Sequence, residues 1–184
     1  TDCFDARFSG AGGFQGAGDD FDMGDVNGDG YDDLVVAAPF SDKSTGVVYV
    51  KYGASSRFLN EWSLWSSEVH IYGTQTGEAL GISVDVVPGW DKSEDGPRYL
   101  HGDDEYADIL IGAAGSDPSE TVYLLYGENW ASGTRDQVGA LAALELPLSE
   151  RPQNYPPADA VSIGRVYVSA NGDFNGDGYY DIVA

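Results

Sequence analysis

Two stretches of this chain are near copies of one another. GDVNGDGYDDLVVAAP at Gly24–Pro39 returns as GDFNGDGYYDIVA at Gly172–Ala184, and GDDEYADILIGAAG at Gly102–Gly115 is a diverged third version. Aligning the apolar residue after the last Asp puts Leu34, Ile109 and Ile182 in register, 75 and 73 residues apart. Two more blocks keep this period. TGVVYVKYG (Thr45–Gly53) and ETVYLLYG (Glu120–Gly127) follow the first two copies; GEALGIS (Gly77–Ser83) and AVSIGRV (Ala160–Val166) precede the second and third. A unit of this kind cannot bury both of its sheet faces alone and must stack on its neighbours, so the chain is a repeat architecture.

The units read as strands. LVVAA (Leu34–Ala38), VVYVKY (Val47–Tyr52), ILIGA (Ile109–Ala113), VYLLY (Val122–Tyr126), VSIGRVYV (Val161–Val168) and IVA (Ile182–Ala184) are short, rich in Val, Ile and Tyr, and bounded by Gly, Asp and Pro. LVVAA and ILIGA do not alternate, which predicts strands buried on both faces. Helix is expected only at Phe58–Trp65 and Gln137–Leu144. The fold class is therefore all-β, with several strands per unit, as in propeller blades. The expected organisation is a first repeat over 1–76, a second, degenerate repeat with insertions over 77–158, and the start of a third over 159–184. Residues 60–67, 90–101 and 128–155 read as insertions. Propellers close with roughly four to eight blades. About two and a half repeats thus imply part of a larger or assembled propeller or array, with terminal sheets that seek cover from further repeats or a neighbouring copy.

Composition narrows the function. Asp and Glu total 31 against 9 Lys and Arg, a net charge of −22. Nucleic-acid binding needs basic stripes, and docking on anionic lipid needs basic clusters, so both are excluded. No apolar run reaches the length of a membrane-spanning helix, and the first 30 residues lack the pattern of a signal peptide. Cys3 is the only cysteine, which excludes an internal disulfide and a cysteine-based zinc site. His70 and His101 have no partner motif, no G-x-S-x-G elbow occurs, and the acids are too numerous for any one pair to be singled out as a glycosidase pair. No catalytic constellation is present, so the chain reads as a non-enzyme. Trp62, Trp65, Trp90 and Trp130 fall in the insertions, where they either fill small satellite cores or offer stacking surfaces for a sugar or a partner.

The acids are biased towards Asp, 22 against 9 Glu, and the Asp residues cluster with Gly. In the loop Asp25, Asn27, Asp29, Gly30, Tyr31, Asp33, positions 1, 3, 5 and 9 offer side-chain oxygens and position 7 its main-chain carbonyl. Gly at position 6 permits the positive φ that wraps such a loop. This number of hard oxygen donors suits Ca²⁺; Mg²⁺ would keep more of its water. The third unit repeats the pattern with Asp173, Asn175, Asp177, Gly178, Tyr179 and Asp181. An EF-hand would need a bidentate Glu at position 12, where Val36 and Ala184 stand in strand-like runs. The sites therefore belong to a strand–loop–strand setting.

Together, a Gly-containing strand, D-x-N-G-D-G-Y-x-D, LVVAAP and G-x-VYV-x-YG resemble the FG-GAP repeat, the blade of integrin α-like β-propellers and of many surface proteins. "GAP" stands as Ala37-Ala38-Pro39 and Gly112-Ala113-Ala114; "FG" stands as Leu80-Gly81 and Ile163-Gly164, with Gln15-Gly16 aligned in the first unit. The resemblance implies calcium on Asp25, Asn27, Asp29, the Tyr31 carbonyl and Asp33, and on Asp173, Asn175, Asp177, Tyr179 and Asp181. In the second unit only Asp104, Tyr106 and Asp108 match ligand positions; Asp91 or Asp95 could supplement them, and a solvated acidic loop is preferred there to a third calcium site. The reading that follows is an extracellular or cell-surface calcium-binding module for adhesion, or for binding a protein or glycan through its inserted loops. The alternatives are a subunit of a fibre or surface layer that self-associates through its terminal blades, and the propeller part of a larger secreted enzyme.

Overall fold

The computed structural model describes residues 6–10, 12–13, 15–56, 60–88, 106–114, 120–142, 144–147, 167–170, 172–176 and 180–184. The described residues are mostly β-structure. In chain order the strands are β1 (Ala6–Ser9), β2 (Phe21–Gly24), β3 (Asp33–Ala38), β4 (Val47–Lys51), β5 (Asn60–Ser63), β6 (Val69–Tyr72), β7 (Leu80–Val87), β8 (Asp108–Ala113), β9 (Thr121–Leu125), β10 (Thr134–Gln137) and β11 (Leu144–Pro147). Strands β2, β3, β4 and β6 form an antiparallel meander, and β7, β8, β9 and β11 form a second of the same order. Each is a four-stranded unit of the propeller-blade type.

The register makes the two units superimposable position by position. Met23 faces Leu34 as Val86 faces Ile109, and Asp22 faces Val35 as Asp85 faces Leu110. Leu34 also pairs with Lys51, as Ile109 does with Leu125. In the third unit the Ser169–Val183 bridge sets Ser169 at the place of Asp22 and Asp85. This pairing also revises the first-unit alignment. Gly18 lies two residues before Asp20 as Gly81 lies two before Ser83, and both take positive φ, +88° and +85°. The glycine equivalent to Gly81 is therefore Gly18 rather than Gly16.

The two sheets pack face to face. Val26, Val35, Ala37, Val48, Val50, Val69 and Ile71 of the first unit meet Val84, Val86, Ile109, Ile111, Tyr123 and Leu125 of the second in one core. Each buried Val, Ile or Leu side chain there contributes about 1.5–3 kcal/mol by leaving water, so the seam is a hydrophobic core rather than a loose contact. The far face of the second sheet, with Ile82, Leu110, Val122 and Leu124, packs against Val168, Tyr180 and Ile182 of the third unit. The expectation that LVVAA and ILIGA are buried on both faces holds: five of the six β3 residues and all six of β8 are buried.

Departures from the sequence reading lie in the insertions. Phe58–Trp65, expected as helix, instead contains β5, which pairs in parallel with β1, followed by a 3-10 turn at Leu64–Ser66. The Ser63 hydroxyl accepts the Trp65 N–H, and Leu64 anchors the turn on the outer face of the first sheet beside Val36, Val47 and Tyr49. Within Gln137–Leu144 a single helical turn forms at Val138–Leu141. Strand β10, from the second unit's insertion, adds in parallel to β6 at the outer edge of the first sheet. Arg135 secures it by donating to the carbonyls of Glu68 (2.9 Å) and Ser67 (3.0 Å). The boundary drawn at 76/77 falls between β6 and β7; that at 158/159, Val161–Arg165 and the 90–101 insertion lie outside the described residues.

Candidate metal centre

The loop 25–33 joins β2 to β3 at the end of the first sheet, and its shape follows from Asp side chains closing turns on the backbone. Asp25 accepts the Asp29 N–H on Oδ1 (3.0 Å) and the Gly30 N–H on Oδ2 (2.7 Å). Asn27 Oδ1 accepts the Asp29 N–H at 2.9 Å, and Asp29 Oδ1 accepts the Tyr31 N–H at 3.0 Å. Gly28 and Gly30 take φ of +70° and +87°, the left-handed conformation this winding requires.

Asp33 is the buried anchor of the loop. It is fully inaccessible; its Oδ2 accepts the N–H groups of Val26 (3.0 Å) and Asn27 (3.1 Å), and its Oδ1 that of Gly53 (2.8 Å). Burial raises its pKa to about 6; the three N–H donors oppose that shift and the Asp29 charge adds to it. Tyr31, whose carbonyl is the position-7 donor, is 44% exposed as a residue.

The second unit braces this loop. Ala107 donates its N–H to the Asp25 carbonyl at 2.8 Å, and the Tyr106 ring lies against Gly28, where a Cβ would fall 2.6 Å from it. The site thus sits on the seam between two units, which spacing alone did not reveal.

The third-unit loop shares the ninth-position anchor of the first and differs in its other turn bonds where it is described. Asp181 Oδ2 accepts the N–H groups of Phe174 (2.7 Å) and Asn175 (3.1 Å), as Asp33 does those of Val26 and Asn27. Asp173 Oδ1 accepts the Gly176 N–H at 2.6 Å. Asp177 and Tyr179 lie outside the described residues, as do Asp104, Asp91 and Asp95. Asp108 is described and is 4% exposed; its Oδ1 accepts the Gly127 N–H at 3.0 Å, the counterpart of the Asp33–Gly53 bond.

Residues 12–50 match the family model of the FG-GAP repeat. The match spans β2, the Asp loop, β3 and most of β4. No curated protein shows significant similarity to the chain.

The donor set of the loop 25–33 fits a hard divalent cation: four side chains bearing oxygen and one carbonyl, on nine residues held by turn hydrogen bonds. The acids are not gathered into a ready cage; among the described residues no three His, Cys, Asp or Glu side chains converge on one point. They are instead turned to the loop's own N–H groups, each of which occupies one lone pair of an oxygen with capacity for more. His70 sits apart from any such cluster. It is fully buried among Tyr49, Trp65 and Tyr72, with Nδ1 3.2 Å from the Tyr72 hydroxyl.

Proposed function

We propose that the chain is an extracellular, non-enzymatic, calcium-binding module of the propeller type that serves adhesion, or binds a protein or glycan through its inserted segments. The observation that carries this reading is the position of the Asp25–Asp33 loop on the seam, where the Ala107 N–H and the Tyr106 ring brace it from the next unit. An ion held there would lock two units together and offset the cost of an ionised Asp33. Asp25, Asn27, Asp29, the Tyr31 carbonyl and Asp33 would hold it, and Asp173, Asn175, Asp177, Tyr179 and Asp181 would hold a second. Sites of this open, loop-borne kind have dissociation constants of about 10⁻⁴–10⁻³ M, matched to extracellular calcium. For partner binding, Trp65 stands 60% exposed on the 60–67 insertion, whereas Trp130 is buried in the core.

Calcium titration by calorimetry, with thermal melts in calcium and in chelator, tests this. With a dissociation constant of about 10⁻⁴ M and about 1 mM ion, each site adds roughly 1.4 kcal/mol. Asp29→Ala and Asp177→Ala should each remove one binding event and shrink the response to chelator. A melting temperature that chelation leaves unchanged overturns the proposal.

A further inference from the structure

The loop 25–33 is held from two sides, and one of them belongs to the next unit. From within, Asp25, Asn27, Asp29 and Asp33 close its turns on N–H groups of the loop itself. From without, the second unit grips it at four places. Gly24, the residue before it, lies where a Cβ would fall 2.6 Å from Val86 Cγ1 and 3.3 Å from Ala107 Cβ. The Asp25 carbonyl, at position one, accepts the Ala107 N–H at 2.8 Å. Val26, at position two, is fully buried in the core the two sheets share, and its carbonyl lies against Gly127, where a Cβ would come 2.9 Å from it. Gly28, at position four, lies under the Tyr106 ring, where a Cβ would fall 2.6 Å from Cε1.

The residues that do this stand at loop positions of the second unit. In register with Asp33, Tyr106 is position seven, Ala107 position eight and Asp108 position nine. Asp108 Oδ1 accepts the Gly127 N–H at 3.0 Å and so sets Gly127 against Val26. All three thus bear on the preceding loop. Tyr106 bears on its freest part: Gly28 has φ +70°, no side chain of its own, and Asp29, Gly30 and Tyr31 after it are exposed. The seam does not depend on that ring alone. Asp20 Oδ2 accepts the Val84 N–H at 2.9 Å and Asp22 Oδ2 the Val86 N–H at 2.8 Å, carboxylate rungs that Asp85 repeats on the third unit by accepting the Ala170 N–H at 2.8 Å. Removing the ring should therefore release the loop while leaving the units joined.

We propose, on the calcium reading above, that Tyr106 is a positioning residue for the loop of the preceding unit. Its ring fixes the Gly28 turn in the donor-bearing shape in advance, and so sets the calcium affinity of Asp25, Asn27, Asp29, the Tyr31 carbonyl and Asp33. Preorganisation of this kind acts by removing an ordering cost that binding would otherwise meet. The coupling is reciprocal, so calcium binding and seating of the Tyr106 ring favour one another by the same factor.

Two readouts on the whole chain test this, in an Asp177→Ala background so that the first loop is read alone. The first is amide hydrogen exchange in chelator. Tyr106→Ala should speed exchange of the Asp29 and Gly30 N–H groups roughly 5–30-fold, the freedom of one ordered backbone residue, and Tyr106→Phe, which keeps the ring, should match the parent. The second is calorimetric titration with calcium, in which Tyr106→Ala should bind more weakly by a like factor and Tyr106→Phe as the parent does. Asp22→Ala, which cuts a rung and leaves the loop's own contacts in place, should keep the parent affinity and separates lost stability from lost positioning. Melting curves in chelator check folding, with Tyr106→Leu in place of the alanine variant if that does not melt cooperatively. Parent-like affinity in the ringless variant, or a Tyr106→Phe variant as impaired as it, overturns the proposal and leaves the calcium reading standing. A parent chain that binds no calcium overturns both.

Discussion

Cutting the carboxylate rungs between units should weaken the seam by an amount the structure sets. β7 is the edge of its sheet, and Val86 is 3% exposed with its N–H on Asp22 Oδ2 at 2.8 Å. Asp22→Ala leaves that N–H buried without its acceptor. A hydrogen bond to a charged group contributes about 1.5–3 kcal/mol. Part of the loss is offset, because burial, and then the charges of Asp22 and Asp20, raise the Asp85 pKa, and removing Asp22 relieves that repulsion. The net destabilisation should be about 1–2.5 kcal/mol, or a fall of roughly 3–8 °C in Tm for a chain of this size. Asp22→Asn keeps one oxygen for two N–H groups, those of Val86 and Met23, and should recover about half. Asp20 and Asp22 lie two residues apart on one strand edge, so the double alanine variant should fall short of the sum. Urea and thermal melts in chelator, with exposed Asp19→Ala as control, measure this free of any metal. If Asp22→Ala melts within about 0.5 kcal/mol of the control, the carboxylates are bystanders and the seam rests on apolar packing alone.

Three further outcomes are expected. Burial, with the Arg135 charge adding and the carbonyls of Trp65 and Leu64 opposing, lowers the His70 pKa to about 4 from the ordinary 6.5. The stability this neutral imidazole contributes is complete above pH 6.5 and is lost as pH falls towards 4, about 3 kcal/mol in all; His70→Phe should flatten that slope in denaturant titrations, and parallel slopes refute it. Gly46 has φ +88° and a Cβ there would overlap the backbone of Leu80, so Gly46→Ala should cost about 2 kcal/mol or more, and a melt unchanged from the parent refutes the close approach. Asp108→Ala should cost about 1–3 kcal/mol, by stranding the buried Gly127 N–H, equally in calcium and in chelator; a loss confined to calcium would instead make Asp108 a ligand.

The parts of the fold legible in the sequence are those where a residue's neighbour along the chain decides its state. β3, β4, β8 and β9 announce themselves by short, mostly unbroken apolar runs, because both of their faces are buried. β2 reads FDMG and carries no such run: its alternation is only four residues long and is inverted in burial, since Asp22 points to another unit's backbone while Phe21 and Met23 are exposed. β10 reads TRDQ and is held by pairing with β6 and by Arg135, a residue 67 positions from Glu68, which no local pattern encodes. The Phe58–Trp65 segment spaces its apolar residues as a helix would, yet partnership with β1 and the Ser63 cap override that periodicity. The Asp loop was legible as a turn and as a donor set because its hydrogen bonds run between residues two to five apart. Its place on the seam, and the rung of Asp20, Asp22 and Asp85, depend on partners some 64 to 85 residues away.

The ninth position of the loop separates what the fold needs from what an ion would need. Asp33 and Asp108 each take the N–H of the glycine that ends the following strand block, Gly53 and Gly127, and Asp33 and Asp181 each take two N–H groups of their own loop. These bonds tie a loop to its sheet in the second unit too, where Leu100 and Gly102 stand at the first two ligand positions. An Asp at position nine is therefore a structural anchor whether or not a cation is bound, and its presence alone says nothing about metal. Positions one, three and five carry that information. Asp25 and Asp29 close only local turns in a half-buried to exposed loop, where an alanine leaves N–H groups that water can reach. Substitution at position five should thus read out the ion with little cost to the fold. Substitution at position nine should destabilise the protein in chelator as well, and cannot by itself be taken as loss of a ligand.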